Sequence, residues 1–182
     1  MPYSSEFDSL INACVGVGTK LPDDVIIVRL GQQNLEHWHC GQLQRVFKVS
    51  TGKNPPSCIE DSGGTPLGLH YVCEKIGHGE PVDTVFVARK SIGKTWRELK
   101  AEGEAPEKAR VTTRILRLRG LEEGKNSGPG VDSFNRYIYL HGTVFEERIG
   151  EGTSAGCITL LNRDMLELFD AVPEGTLVWV EV

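Results

Sequence analysis

The sequence predicts a mainly β single domain with one or two helices on its flank. Three observations carry this. Compact runs of β-branched residues, such as Val-Ile-Ile-Val-Arg-Leu at 25–30, recur along the chain. Turn formers separate them, with 21 Gly and 9 Pro spread over the sequence. Only one long segment, from Asn162, carries a helical apolar stripe. At 182 residues the chain is long enough for one core of ordinary size.

The elements follow in order. Residues 1–22 lack clear periodicity and suit a short helix or an arm; 1–24 is read as an N-terminal arm and 25–182 as the domain proper. Strands are expected at 25–30, Gln32–Trp38 and Leu43–Ser50, with the turn at Cys40–Gly41 making an antiparallel meander. Residues 51–68, with Pro55–Pro56 and Gly63–Gly64, form a loop. Further strands are expected at Leu69–Lys75, Val85–Arg89, Thr112–Arg119 and Arg136–Leu140, with a short helix near Thr95–Ala101 and a Gly-rich loop at 120–132. Asn162 suits a helix N-cap. Met165, Leu168, Phe169 and Val172 then fall at i, i+3, i+4 and i+7, and Pro173 and Gly175 end the helix. Thr176–Val182 closes the domain as a strand.

The net charge of −5 argues against nucleic acid or an anionic membrane as the main partner, since both select a basic footprint. No run is long enough to span a bilayer. Glu6 and Asp8 precede the first basic residue, Lys20, so the N-terminus does not read as a signal peptide, and a cytoplasmic location is expected unless a leader has been removed. The five cysteines are Cys14, Cys40, Cys58, Cys73 and Cys157. None has C-x-x-C spacing, and an odd number leaves at least one free thiol.

Two segments carry chemistry: Tyr137 to Thr143, which brings a strand into His141-Gly142, and Gly152 to Thr159, a Gly-rich approach to Cys157. If the two are paired strands, His141 and Cys157 meet across the ladder. A thiol becomes a nucleophile only as its thiolate, and an adjacent imidazole can take the proton. The other ring nitrogen then needs an anchor, either Ser154 or a backbone carbonyl in the Gly142–Thr143 turn. Gly156 lets backbone amides approach a substrate, so amides at Ala155, Gly156 and Cys157 are candidates for an oxyanion hole. The chemistry calls for no metal and no organic cofactor.

Together these residues resemble the signature of the L,D-transpeptidase catalytic domain. The resemblance rests on His141-Gly142-Thr143 and Ser154-x-Gly156-Cys157, then Asn162-x-Asp164 and Val172-Pro173-x-Gly175-Thr176. Upstream, Val49-Ser50-Thr51-Gly52-Lys53 and Gly64-Thr65-Pro66-x-Gly68 also match, so the likeness covers residues 25–182. It implies a mixed β-sandwich, nearly barrel-like, with the cysteine in a cleft. It implies a thioester formed on peptidoglycan stem peptides with loss of the terminal D-alanine. Transfer to an amine makes a cross-link; transfer to water makes an L,D-carboxypeptidase, which suits muropeptides. A peptidoglycan-binding module without activity is a third reading, and carbapenems are the expected covalent inhibitors. Tyr139, Thr143, Arg136 and Thr159 are the expected substrate contacts. Two positions depart from the family: Ala155 stands where His or Lys often precedes Gly-Cys, and Thr159 where Arg commonly follows. Arg136, Arg117 or Arg119 could supply the missing cation.

Other motifs are weaker. His37 and His39 share a strand face, which suits zinc, but no third ligand is near in sequence. Gly16-x-Gly18-Thr19-Lys20 lacks the spacing of a phosphate loop. Arg114, Arg117 and Arg119 read as a solvated strand face, and Glu146–Glu147 as a solvated loop pair.

Overall fold

The computed structural model describes residues 7–105 and 107–182. Helix α1 spans Asp8–Val17. Gly18 ends it in the left-handed conformation, with Gly18 N–H on the Val15 carbonyl at 3.1 Å and Thr19 N–H on that of Cys14 at 2.9 Å. The Gly-x-Gly-Thr-Lys segment is therefore a helix stop. Residues 1–6 of the expected arm lie outside the described residues.

The strands are β1 (Asp24–Arg29), β2 (Asn34–His39), β3 (Gln42–Gly52), β4 (Gly68–Ile76), β5 (Thr84–Val87), β6 (Lys90–Thr95), β7 (Val111–Gly120), β8 (Tyr139–Thr143), β9 (Gly152–Ser154), β10 (Ile158–Leu160) and β11 (Leu177–Glu181). Hydrogen bonding runs β4-β11-β1-β2-β3-β10-β8-β7, and β7 pairs back onto β4. Eight strands thus close into a mixed barrel-like sheet, which leaves none of them a free edge. The expected meander of β1 to β3 is present and antiparallel. The β5–β6 hairpin extends from one end of β7.

Period-two alternation explains why β1 is apolar throughout. Ile26 and Val28 point into the main core with Val178 and Val180, while Val25 and Ile27 point outward under Leu10 and Cys14 of α1. A strand covered on both faces reads as an unbroken apolar run.

Helix α2 (Trp96–Ala101) begins as the sequence suggests. Thr95 caps it in a reciprocal box with Glu98, whose amide donates to Thr95 Oγ1 at 3.3 Å. Helix α3 (Asn162–Ala171) buries Met165, Leu168 and Phe169 in the main core. Each such burial is worth about 1.5–3 kcal/mol.

Several expectations need correction. The strand expected at Arg136–Leu140 is β8, shifted to Tyr139–Thr143, because Tyr137 takes a left-handed φ of 57° that breaks extended backbone. Asn162 is the first helical residue and not the cap. Glu146, in the 3-10 turn Glu146–Arg148, accepts the Asn162 amide at 2.6 Å, so it is a helix-capping carboxylate and not merely solvated. Arg114 and Arg117 are buried, not solvated: Arg114 lies over Phe169, and Arg117 stacks 3.4 Å from the Phe134 ring centroid while pairing with Glu74 at 3.2 Å.

Candidate active site

His141 sits inside the sheet, on β8 between β7 and β10. Strands β8 and β10 run parallel, with Leu140 level with Ile158 and His141 level with Thr159. Cys157 immediately precedes β10, two residues back from Thr159. Alternation places its side chain on the face that His141 occupies, one step along the strands. The direct cross-ladder pairing expected for His141 and Cys157 is therefore replaced by a diagonal one. The connection through the 3-10 turn and β9 brings the chain back in the same direction, and a parallel return shifts the level.

His141 and Cys157 line one groove of about 400 Å³, together with Thr143, Ser154, Ala155 and Thr159. The His141 ring is fixed by a 2.7 Å hydrogen bond between Nδ1 and the Gly142 carbonyl. A carbonyl can only accept, so Nδ1 carries the hydrogen and Nε2 keeps its lone pair. Burial lowers the His141 pKa to about 4, against a smaller upward pull from the Gly142 carbonyl. The imidazole is neutral at pH 7.

Of the two anchors open in the sequence, it is the Gly142 carbonyl that holds His141. Ser154 works elsewhere: its hydroxyl donates to the Cys157 carbonyl at 2.5 Å and accepts the Gly156 amide at 3.1 Å. It shapes the turn that presents the thiol. Gly156 has φ of +119°, and a Cβ there would stand 2.9 Å from the Gly64 carbonyl oxygen. Gly142 is equally constrained, since a Cβ would meet Asn162 Oδ1 at 2.2 Å.

The Cys157 thiol is half-buried, packs on the cluster of Phe86, Ile115 and Tyr139, and lies 3.4 Å from the Tyr137 carbonyl oxygen. Burial pushes its pKa up to about 11; the Tyr139 backbone and the Arg136 charge pull the other way. At rest the pair is a neutral thiol beside a neutral imidazole.

The remaining expected residues are dispersed. Thr143 and Thr159 line the groove, and Thr159 Oγ1 donates to the Ser50 carbonyl at 3.4 Å. The Tyr139 hydroxyl turns to a neighbouring pocket and accepts from Arg89 at 3.1 Å. Arg136 lies in a separate pocket beyond Ala155, where its guanidinium donates to the Gly64 carbonyl at 2.8 Å and that of Ser57 at 3.0 Å. Sequence reasoning missed the cations of the groove wall: Lys53, Arg110 and Arg148. Lys53 lies within a motif already singled out, but Arg110 and Arg148 had no local signal.

His37 and His39 share one oxygen of Asp24, at 3.0 and 2.9 Å. This carboxylate on β1 was invisible at short sequence range. Among the described residues no three His, Cys, Asp or Glu side chains are grouped to hold a metal ion, and no helix is long and apolar enough to cross a membrane.

Comparison with known proteins agrees with this architecture. A family model described as YkuD, the L,D-transpeptidase catalytic domain, matches residues 23–180. The probable L,D-transpeptidase YbiS of Escherichia coli K12 is 27% identical over 96% of this chain and 56% of its own length. The putative L,D-transpeptidase YqjB of Bacillus subtilis is 32% identical over 50% of this chain and again 56% of its own. The chain thus spans little more than half the length of these curated relatives. Among solved structures, L,D-transpeptidase 3 of Mycobacterium tuberculosis with a faropenem-derived adduct superimposes with a TM-score of 0.55 at 18% identity, covering 88% of this chain and 61% of that one. An L,D-transpeptidase of Xylanimonas cellulosilytica gives 0.52 at 18% identity, covering 94% and 69%. At such identities the likeness is one of fold.

Proposed function

We propose, for a chain that belongs to the L,D-transpeptidase catalytic-domain family, that it transfers acyl groups of peptidoglycan stem peptides through a thioester on Cys157. One observation carries this reading: the thiol, just before β10, and the β8 imidazole, whose Nδ1 is held by the Gly142 carbonyl, line the same groove.

The chemistry follows from the neutral resting pair. As Cys157 Sγ attacks the carbonyl of the L-centre of diaminopimelate, its proton passes to His141 Nε2 and a C–S bond forms. Carbonyl electrons move onto the oxygen as an oxyanion. The Gly156 amide is already engaged by Ser154, so the amides of Ala155 and Cys157 are the candidate oxyanion donors. Collapse breaks the C–N bond, and His141 returns the proton to the departing D-alanine nitrogen. An amine of a second stem then attacks the thioester, His141 taking its proton, and the thiol is regenerated. Water in place of the amine gives the carboxypeptidase outcome.

The test uses a tetrapeptide stem. Intact-mass measurement should show an acyl adduct on Cys157, absent from Cys157→Ala, and dimer should accumulate. Accumulation of tripeptide alone would assign water as the acceptor. Absence of any adduct, with binding retained by Cys157→Ala, would assign a binding module instead. Carbapenems should acylate the same sulfur; the faropenem-derived adduct and an imipenem complex of related folds support that expectation.

A further inference from the structure

We infer that Lys53 and Arg148, backed by Arg110, form the carboxylate-recognition site of the Cys157 groove, so that the donor peptide must present a free carboxylate close to its scissile bond. The inference rests on the acyl-transfer reading and names what that site selects.

The chain carries a net charge of −5, yet among the described residues the groove wall holds three cations and no carboxylate. A concave surface lined by one sign of charge concentrates ligands of the other. The three cations differ in how free they are. Lys53 is exposed and has no ion-pair partner among the described residues. Its backbone amide donates to the Ser154 carbonyl at 2.9 Å, which ties it to the turn that presents the thiol. Among the described residues the Arg148 guanidinium meets only Glu151, at 3.4 Å, with both side chains half exposed or more, a weak and exchangeable contact. Arg110 is held at 2.6 Å by Glu104, and its buried Nε has no partner. It is a fixed charge in the wall, while Lys53 and Arg148 are available to a ligand.

Two other positions near Cys157 are occupied elsewhere. The position two residues after Cys157 is Thr159, whose hydroxyl is spent on Ser50. Arg136 is filled by the carbonyl oxygens of Ser57 and Gly64 in a different pocket. A guanidinium and an ammonium from separate segments therefore supply the clamp, Arg148 offering the two-pronged geometry that suits a carboxylate.

The experiment measures equilibrium binding of a tetrapeptide stem by calorimetry on the Cys157→Ala background, which removes turnover. Adding Lys53→Gln and Arg148→Gln should weaken binding at least tenfold, with the melting temperature unchanged. Lys53→Arg, which keeps the charge and leaves the Arg148 guanidinium in place, should retain it. Three further stems, each with one carboxylate amidated (D-glutamate, diaminopimelate or terminal D-alanine), locate the group that is read. That stem should bind the parent weakly and lose nothing more in the double variant. Binding unchanged within twofold by Lys53→Gln/Arg148→Gln overturns the inference while leaving thioester formation on native Cys157 untouched. Failure of native Cys157 to acylate, with cation-dependent binding intact, overturns the acyl-transfer reading instead.

Discussion

At the scale of single residues, reactivity is decided by opposed displacements of two pKa values from one cause. Burial holds the His141 imidazole neutral down to about pH 4 and the Cys157 thiol protonated up to about pH 11. In the proposed mechanism such a site waits as two neutral groups and moves the proton only when a carbonyl arrives. Alkylation of Cys157 by iodoacetamide should therefore keep rising from pH 7 to pH 10. A plateau reached by pH 6 would instead indicate a standing thiolate–imidazolium pair. In the proposed mechanism His141 removes the proton during attack, so His141→Gln should slow acylation by about 10²–10⁴, the usual worth of a general base; a loss below tenfold, measured by stopped-flow or mass, would contradict that role. Cys157→Ala should abolish turnover while leaving the circular-dichroism spectrum unchanged.

The elements that carry these side chains are tied together by one buried amide. Asn162 Oδ1 accepts from the hydroxyls of Thr112 and Thr113, each at 2.6 Å, and its Nδ2 donates to the Thr143 carbonyl at 2.9 Å. One side chain thus joins the start of α3 to β7 and to the end of β8, just beyond His141. Together with the Thr112 carbonyl oxygen, at 2.9 Å, it leaves no room for a Cβ at Gly142. Removing the amide leaves the buried Thr112 hydroxyl without this partner and takes one hydrogen bond each from the Thr143 carbonyl and the Thr113 hydroxyl, which still accepts the Asp83 amide at 3.1 Å. Asn162→Ala should cost about 2–4 kcal/mol in denaturant unfolding, and activity should fall more than stability alone explains, since β8 is the strand that aims the imidazole. A loss below 1 kcal/mol would show that the tie is dispensable.

For the molecule as a whole, barrel closure buries two histidines in neutral form. His70, held between the Gly68 carbonyl at 3.0 Å and the Ser133 hydroxyl at 2.9 Å, also has its pKa lowered to about 4 by burial. In the unfolded chain both histidines titrate near 6.5. Between those values the unfolded state binds protons that the folded state refuses, so stability is complete above pH 6.5 and falls as the pH drops toward 4. Each histidine contributes up to about 3 kcal/mol to that fall. Chemical denaturation at pH 7.5 and 4.5 should show the loss, and His70→Gln should remove about half of its slope. Equal stability at the two values would mean that neither ring is held neutral.

Much of this was legible in the chain itself, wherever the determining contacts are local. The β1 to β3 meander, the short helix near Thr95–Ala101 and the α3 apolar stripe all follow from neighbours a few positions apart. His141 and Cys157 were legible as chemical types at a suggestive spacing. Which level they occupy was not, because that depends on β8 and β10 running parallel after a crossover that no short-range pattern encodes. The same holds for Asn162, drawn from a cap into a three-way buried tie, for Arg136, filled by loop carbonyls, and for Arg110 and Arg148, which reach the groove wall only once β7 and the 144–156 loop are in place. Sequence alone determined which groups could react, since side-chain identity sets proton affinity and nucleophilicity. Tertiary structure decided which of them face one another and which charges surround them, since desolvation and Coulomb energies depend on distances across the fold.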